Sequence, residues 1–182
     1  MAYHAPVERF VVYSNPMMEE DKYCPRCGMA LEMKDAQGSP RPTCPRCGKV
    51  IYYDPKLAAT VVVEKDGKVL MVRRLTQPGL GLWSLPGGYV DRGEVVEHGA
   101  AREVMEETGL QVDIVGLIGL FSEGGHPVVL AAFDGRLTKG EAKAGPEVSE
   151  LGFFPLDALP PLAFPRDTEV LEAWRALRDG GG

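Results

Sequence analysis

The sequence predicts a layered α/β domain preceded by a small cysteine-bearing module. Three observations predict it. Strand-length runs rich in Val, Ile and Phe recur from residue 57 onward, and two further segments carry helical periodicity. All four cysteines of the 182-residue chain stand in one short segment, as two Cys-x-x-Cys pairs. Hydrophobic residues make up 45% and charged residues 25%, enough apolar mass for one ordinary core and one accessory unit.

Residues 1–22 read as an N-terminal extension with one strand-like run, Phe10-Val11-Val12-Tyr13, which Ser14-Asn15-Pro16 breaks. Residues 23–53 form the cysteine module, punctuated by Gly28, Gly38, Pro40, Pro42 and Gly48. Asp54-Pro55 opens the main domain, residues 54–178, and residues 179–182 make a flexible Gly-rich tail. Leu57 to Val63 is a β-branched run suited to a buried strand. Asp66-Gly67 is a hairpin turn into Val69-Leu70-Met71-Val72. The Gly- and Pro-rich stretch from Gln77 to Gly88 reads as a loop, and residues 94–108 as a helix. Strands are expected at 111–120 and 127–133, a loop at 138–147, a strand around Phe153-Phe154, and a closing amphipathic helix over 167–178.

The formal net charge is -6, which argues against a protein dedicated to wrapping duplex DNA. The balance is uneven: Lys22 to Lys49 carries +4, leaving -10 for the remainder. An acidic main body suits a carboxylate-rich site for divalent cations. No apolar run approaches the roughly 20 residues needed to cross a bilayer. The first residues also lack the charged start, apolar centre and cleavage site of a secretory signal. The expectation is a cytoplasmic protein with no membrane partner and no dedicated nucleic-acid partner.

Arg102-Glu103-Val104-Met105-Glu106-Glu107 is the most informative stretch. On a helix Glu103 lies one turn from both Glu106 and Glu107, an unfavourable stacking of like charge unless a cation sits among them. Oxygen ligands on one face suit Mg²⁺ or Mn²⁺. Arg102 can pair with Glu106 at i,i+4. Val96, Ala100 and Val104 form an apolar stripe that would fix the helix to the core, and Thr108-Gly109 ends it.

The surroundings sharpen the reading. From Gly88 the chain has five residues, Glu94, seven residues, Arg102-Glu103-Val104, one residue, Glu106-Glu107, one residue, then Gly109-Leu110. This resembles the Nudix box at every defined position, and Gly81-Leu82-Trp83-Ser84-Leu85-Pro86-Gly87-Gly88 resembles the family's approach to it. The resemblance implies a Nudix α/β/α sandwich with a mixed sheet. It implies divalent metal on Glu103, Glu106 and Glu107 with the Gly88 carbonyl, and structural support from Glu94 and Arg102. It also implies water attack on phosphorus, splitting a nucleoside diphosphate derivative into a nucleoside monophosphate and a phosphorylated product. The family's general base is often a glutamate on a later loop. Glu147 is favoured here, ahead of Glu150 and Glu123.

Cys24-Pro25-Arg26-Cys27-Gly28 and Cys44-Pro45-Arg46-Cys47-Gly48 are near-identical knuckles separated by sixteen residues. Such a pair presents four thiolates to one tetrahedral ion, so Zn²⁺ on Cys24, Cys27, Cys44 and Cys47 is expected in preference to disulfides. Four thiolates close the coordination shell, which makes that zinc structural. A zinc ribbon before a Nudix domain resembles two groups, the NADH pyrophosphatases and the zinc-ribbon FAD and ADP-ribose pyrophosphatases. The second resemblance runs through Tyr52-Tyr53-Asp54-Pro55-Lys56 and Gly145-Pro146-Glu147. Where the NADH group carries a Ser-Gln-Pro-Trp-Pro-Phe-Pro array, this chain has Phe121-Ser122-Glu123-Gly124-Gly125-His126-Pro127.

FAD or ADP-ribose is therefore the favoured substrate, with NADH next. A nucleoside triphosphate pyrophosphohydrolase that removes oxidised nucleotides is the alternative enzyme. A nucleotide sensor or a nucleic-acid binder using the ribbon is the alternative class. Arg73 and Arg74 are candidate phosphate contacts, and Phe121 is a candidate base contact, with Trp83 and Phe164 behind it. The resemblance also allows a homodimer.

Overall fold

Cys24 donates its N–H to the Met29 carbonyl at 2.7 Å and Cys44 its N–H to the Lys49 carbonyl at 2.8 Å, so the two knuckles close the same way. Gly28 and Gly48 follow with φ of 71° and 70°, left-handed values that glycine adopts without strain. Between the knuckles, β1 (Glu32–Ala36) and β2 (Ser39–Thr43) pair as an antiparallel hairpin. Its turn residues Gln37 and Gly38 both have positive φ, the geometry that matches strand twist. The computed structural model describes residues 21–180, in two compact units that divide between Asp54 and Pro55. The strand-like run at Phe10–Tyr13 and the last two residues of the tail lie outside the described residues.

The second unit is built on β3 (Lys56–Lys65), where Ala59, Val61 and Val63 face one side of the sheet and Val62 the other. Asp66-Gly67 turns the chain into β4 (Lys68–Arg74) with φ of 55° and 74°. The stretch expected as loop from 77 to 88 holds two short strands, β5 (Trp83–Ser84) on β4 and β6 (Gly87–Tyr89) on β3. Glycine and proline hid them, because their pairing partners are supplied from outside the segment.

The first helix, α1 (Val96–Thr108), begins two residues later than expected. Glu94 is kept out of it because its carboxylate accepts the Asp91 N–H at 3.0 Å and closes a turn. Gly109, at φ 70°, stops the helix by donating to the Met105 carbonyl at 2.9 Å. Then follow β7 (Leu110–Phe121), β8 (Val128–Gly140), β9 (Val148–Pro155) and α2 (Pro165–Asp179). β8 runs seven residues beyond the expected end. Its polar second half still pairs with β7, as far as Leu110 opposite Gly140.

The seven-stranded sheet has the order β5-β4-β3-β8-β7, with β6 also on β3 and β9 also on β4. It is mixed: β3 and β8 run parallel, from Lys56 opposite Val128 to Val63 opposite Gly135, and the other pairs are antiparallel. One face buries Ala100 and Val104 of α1 against Ala59, Val61, Val63, Leu70 and Phe133. The other buries Val170, Leu171 and Trp174 of α2 against Val62, Met71, Leu85 and Ala132. Each fully buried Val or Leu here contributes about 1.5–3 kcal/mol, which is why the sheet interior anchors the layers. The arrangement is an α/β/α sandwich, as the sequence predicts. Among the described residues no helix is long and apolar enough to cross a membrane.

Candidate active site

Thr60 and Val61 of β3 both donate to the Pro86 carbonyl, from Oγ1 at 2.8 Å and from N at 3.1 Å, and so seat the segment before β6 on the sheet. A Cβ at Gly87 would run into the Ala59 carbonyl and stand 2.7 Å from Thr60 Cα, so the approach requires glycine. Glu107 of α1, 8% exposed, accepts the Gly87 N–H at 2.9 Å. One turn earlier, Glu103 lies so close to Gly88 that a Cβ there would meet its Cδ and Oε2 at 2.6 Å.

Arg102 organises the rest. Its Nε and Nη2 grip the two Glu94 oxygens at 2.9 and 3.0 Å, while Nη1 donates to Glu103 at 2.8 Å and Glu106 at 3.0 Å. Nη2 also reaches the Tyr89 carbonyl at 3.2 Å, tying the guanidinium to β6. This fork-to-fork grip is geometry that lysine cannot supply. The Arg102 contacts and the Asp91 N–H hold the Glu94 carboxyl down at about 2.

The later loop returns to the same place for a backbone reason. The last carbonyls of a helix need partners. Lys143 donates to Thr108 at 2.8 Å and Gly145 to Glu107 at 2.9 Å. A side chain at Gly145 would collide with the Glu106 carbonyl, so glycine permits the contact. Glu147 follows in the next turn, and its charge bears on both Glu103 and Glu107. Glu150 sits in β9 and pairs with Arg73 at 3.2 Å. Glu123 lies in the turn between β7 and β8.

Burial pushes the Glu107 carboxyl up to about 7; Glu103 and Glu147 add to the rise, and the Gly87 N–H and Arg74 oppose it. Burial likewise raises Glu103, against the hydrogen bond from Arg102, with Glu106 and Glu147 adding repulsion. A set of carboxylates that resist ionisation beside one another has the chemistry of a divalent-cation site, where the cation would relieve both penalties. The side chains are not tightly gathered, however. Among the described residues, only the four cysteines form a set of three or more potential ligands with all ligand atoms within 4.8 Å of one another. Arg102 holds Glu103 and Glu106 to itself, and Glu107 is turned to Gly87.

The cysteine set is closed. Cys24 and Cys47 sulfurs stand 3.6 Å apart and Cys27 and Cys44 3.5 Å apart, beyond disulfide bonding distance, and all four thiols are free. Burial pushes the Cys44 thiol up, but the N–H groups of Cys47 and Arg46 outweigh it and bring it down to about 6. Four sulfurs so placed can hold one tetrahedral ion.

The proposed substrate contacts are spread out. Arg73 donates to the Gly81 carbonyl at 2.9 Å as well as pairing with Glu150. Arg74 binds the Pro78 carbonyl at 2.8 Å, lies over the Phe164 ring at 5.1 Å, and bears electrostatically on Glu107. Phe121 packs into the cluster beneath α2, on the sheet face opposite α1, and Trp83 meets Phe154 edge to face at 4.8 Å. Sequence reasoning missed Thr60 and Asp167, and named Gly87 only as part of the approach to the box. Asp167, 4% exposed, accepts the Leu85 N–H at 3.2 Å, and burial pushes its carboxyl up to about 7. In sequence it is an ordinary first-turn helix acid.

Gly88→Ala tests the close contact directly. The added methyl must displace the Glu103 carboxyl, which Arg102 holds. The expected result is a folded protein with kcat lowered at least tenfold and weaker activation by Mn²⁺, read by metal titration of the rate. Wild-type kinetics in this variant would show that the approach of Glu103 to Gly88 does not matter.

Residues 54–174 match the family model of the NUDIX domain. The chain belongs to the Nudix family. The ADP-ribose pyrophosphatase of Methanocaldococcus jannaschii is 38% identical over 130 residues, covering 69% of this chain and 76% of that protein. The NAD-capped RNA hydrolase NudC of Pseudomonas aeruginosa is 28% identical over 164 residues, 88% of this chain but 58% of NudC. A crystal structure of a Nudix hydrolase from Nitrosomonas europaea superposes with a TM-score of 0.81 at 30% identity, over 88% of this chain and 94% of that one. The chain is thus a Nudix hydrolase, and Nudix enzymes use divalent metals.

Proposed function

We propose that this Nudix hydrolase is a divalent-metal-dependent pyrophosphatase whose favoured substrates are ADP-ribose and FAD, with NADH behind them. The observation that supports the reading is that Glu107 accepts the Gly87 N–H and Glu103 lies against Gly88, two carboxyls raised by burial on which the charge of Glu147 also bears. The resemblance to the ADP-ribose pyrophosphatase of M. jannaschii favours ADP-ribose within the class.

Glu103, Glu106, Glu107 and the Gly88 carbonyl would hold Mg²⁺ or Mn²⁺, which would neutralise diphosphate charge and acidify an attacking water. Arg102 keeps the Glu103 and Glu106 carboxylates in place, and Glu94 in turn locks Arg102. Glu147 takes the proton from the water as its oxygen bonds to phosphorus and the bridging P–O bond breaks. Nucleoside monophosphate and a phosphorylated product leave. Glu147 is preferred over Glu150 because its charge reaches the helix carboxylates, whereas Glu150 is engaged by Arg73. In the first unit, Cys24, Cys27, Cys44 and Cys47 would hold a structural zinc ion.

The test is product analysis by chromatography on ADP-ribose, FAD, NADH, 8-oxo-dGTP and diadenosine polyphosphates, with Mg²⁺ or Mn²⁺. The expected result is metal-dependent AMP release, fastest from ADP-ribose or FAD. Preferential cleavage of 8-oxo-dGTP would replace this reading with nucleotide-pool cleaning, and no turnover of any substrate despite normal metal binding would end it.

A further inference from the structure

We propose that Asp167 is a positioning residue for the site, fixing the Leu85–Gly88 segment that holds Glu107 and lies against Glu103. The inference rests on the metal-dependent reading of the site above.

The connection is a short chain of hydrogen bonds. Asp167 Oδ2, in the first turn of α2, accepts the Leu85 N–H at 3.2 Å across 82 positions of sequence. Pro86 has no N–H, and its carbonyl is taken by Thr60 Oγ1 at 2.8 Å and Val61 N at 3.1 Å. The next donor, the Gly87 N–H, goes to Glu107 Oε2 at 2.9 Å, and Gly88 abuts the Glu103 carboxyl. The backbone donors and the Pro86 carbonyl between α2 and the candidate metal ligands are therefore engaged. The segment cannot shift at one end without moving the other. Arg74 lies within electrostatic reach of both Asp167 and Glu107, though Arg166 bears more strongly on Asp167.

A helix acid that only complements the macrodipole does so from the surface, where its charge stays hydrated. Asp167 is 4% exposed, and a carboxyl that dry is costly to keep unless it satisfies something specific. What it satisfies is the buried Leu85 N–H. Leu85 itself is 3% exposed, and among the described residues Asp167 supplies the side-chain acceptor for that donor.

The experiment uses D167N, D167L and T60V in the full chain. It reads kcat and KM for the best substrate, and Mn²⁺ affinity by electron paramagnetic resonance, which needs no turnover. The Asn amide oxygen can still accept the Leu85 N–H, so D167N is expected to keep kcat and Mn²⁺ affinity within threefold of wild type. D167L removes the acceptor. It is expected to lose at least twentyfold in kcat, with KM within twofold, and at least fivefold in Mn²⁺ affinity. T60V frees one of the two bonds on Pro86 and is expected to move both readouts the same way by three- to fivefold. A D167L protein that melts earlier but binds Mn²⁺ and turns over normally would overturn the proposal, leaving Asp167 a purely structural acid. Should D167L not fold, the other two variants decide. Loss of Mn²⁺ affinity in a folded D167N would assign the effect to charge, and an unchanged T60V would show that fixing this segment is immaterial. An inactive wild type that still binds Mn²⁺ would count against the hydrolytic reading and leave the affinity comparison intact.

Discussion

Glu106→Gln is expected to lower kcat by about a thousandfold while leaving the fold in place. The side chain is 58% exposed and contributes nothing to either hydrophobic cluster, so the isosteric amide costs little packing. Arg102 keeps its grip on Glu94 and Glu103, and its Nη1 can still donate to the amide oxygen that replaces Glu106 Oε2. On the proposed reading, what disappears is one negative ligand for a cation that would act on charge developing in the transition state. A loss of that kind falls on kcat rather than on folding. The measurement is steady-state kinetics across a Mn²⁺ titration, with circular dichroism as the control for fold. Glu150→Gln, which breaks only the exposed pair with Arg73, should remain within threefold of wild type. Retention of more than a tenth of wild-type kcat in Glu106→Gln would remove Glu106 from the metal set.

Cys44→Ser is expected to unfold the first unit and abolish zinc binding, while the second unit keeps its own melting transition. The hydrophobic interior of the first unit is little more than its ligands: Cys24 and Cys44 at 2% and 1% exposure, joined by Ile51 at 7% and by buried Pro42. A module of about thirty residues with so little to bury would depend on metal–thiolate bonds for its stability. Residues 55–180, by contrast, contain both hydrophobic clusters. Elemental analysis should give one zinc per wild-type chain and none in the variant, and amide spectra should lose the dispersion of residues 23–53. Turnover per folded second unit should be unchanged. A native amide spectrum for residues 23–53 in metal-free protein would refute the structural role.

Much of this was legible before any coordinates. The four cysteines announce their chemistry through spacing alone, because two Cys-x-x-Cys turns are a local geometry that the chain makes wherever it is. The carboxylate helix is legible for the same reason: a 3.6-residue period places Glu103 beside Glu106 and Glu107, and Val104 on the buried side, with no outside help. The strands that were missed or cut short, β5, β6 and the second half of β8, are polar, short or glycine-rich. They exist because a neighbour offers them hydrogen bonds, and no local pattern records a neighbour.

The same division runs through the site. The sequence by itself singled out the carboxylate helix and the two cysteine pairs through residue type at fixed spacing, and its resemblance to the Nudix box implied the fold that bears them. Tertiary structure alone brought the loop that carries Glu147, the glutamate favoured from sequence, back to the end of α1, because carbonyls there recruit Lys143 and Gly145. It alone decided that Arg73 is engaged by Glu150, and that an unremarked helix acid 82 positions away reaches the segment holding Glu107. Long-range hydrogen bonds and burial are properties of pairs brought together by folding, and a linear pattern carries no record of them until the chain has closed on itself.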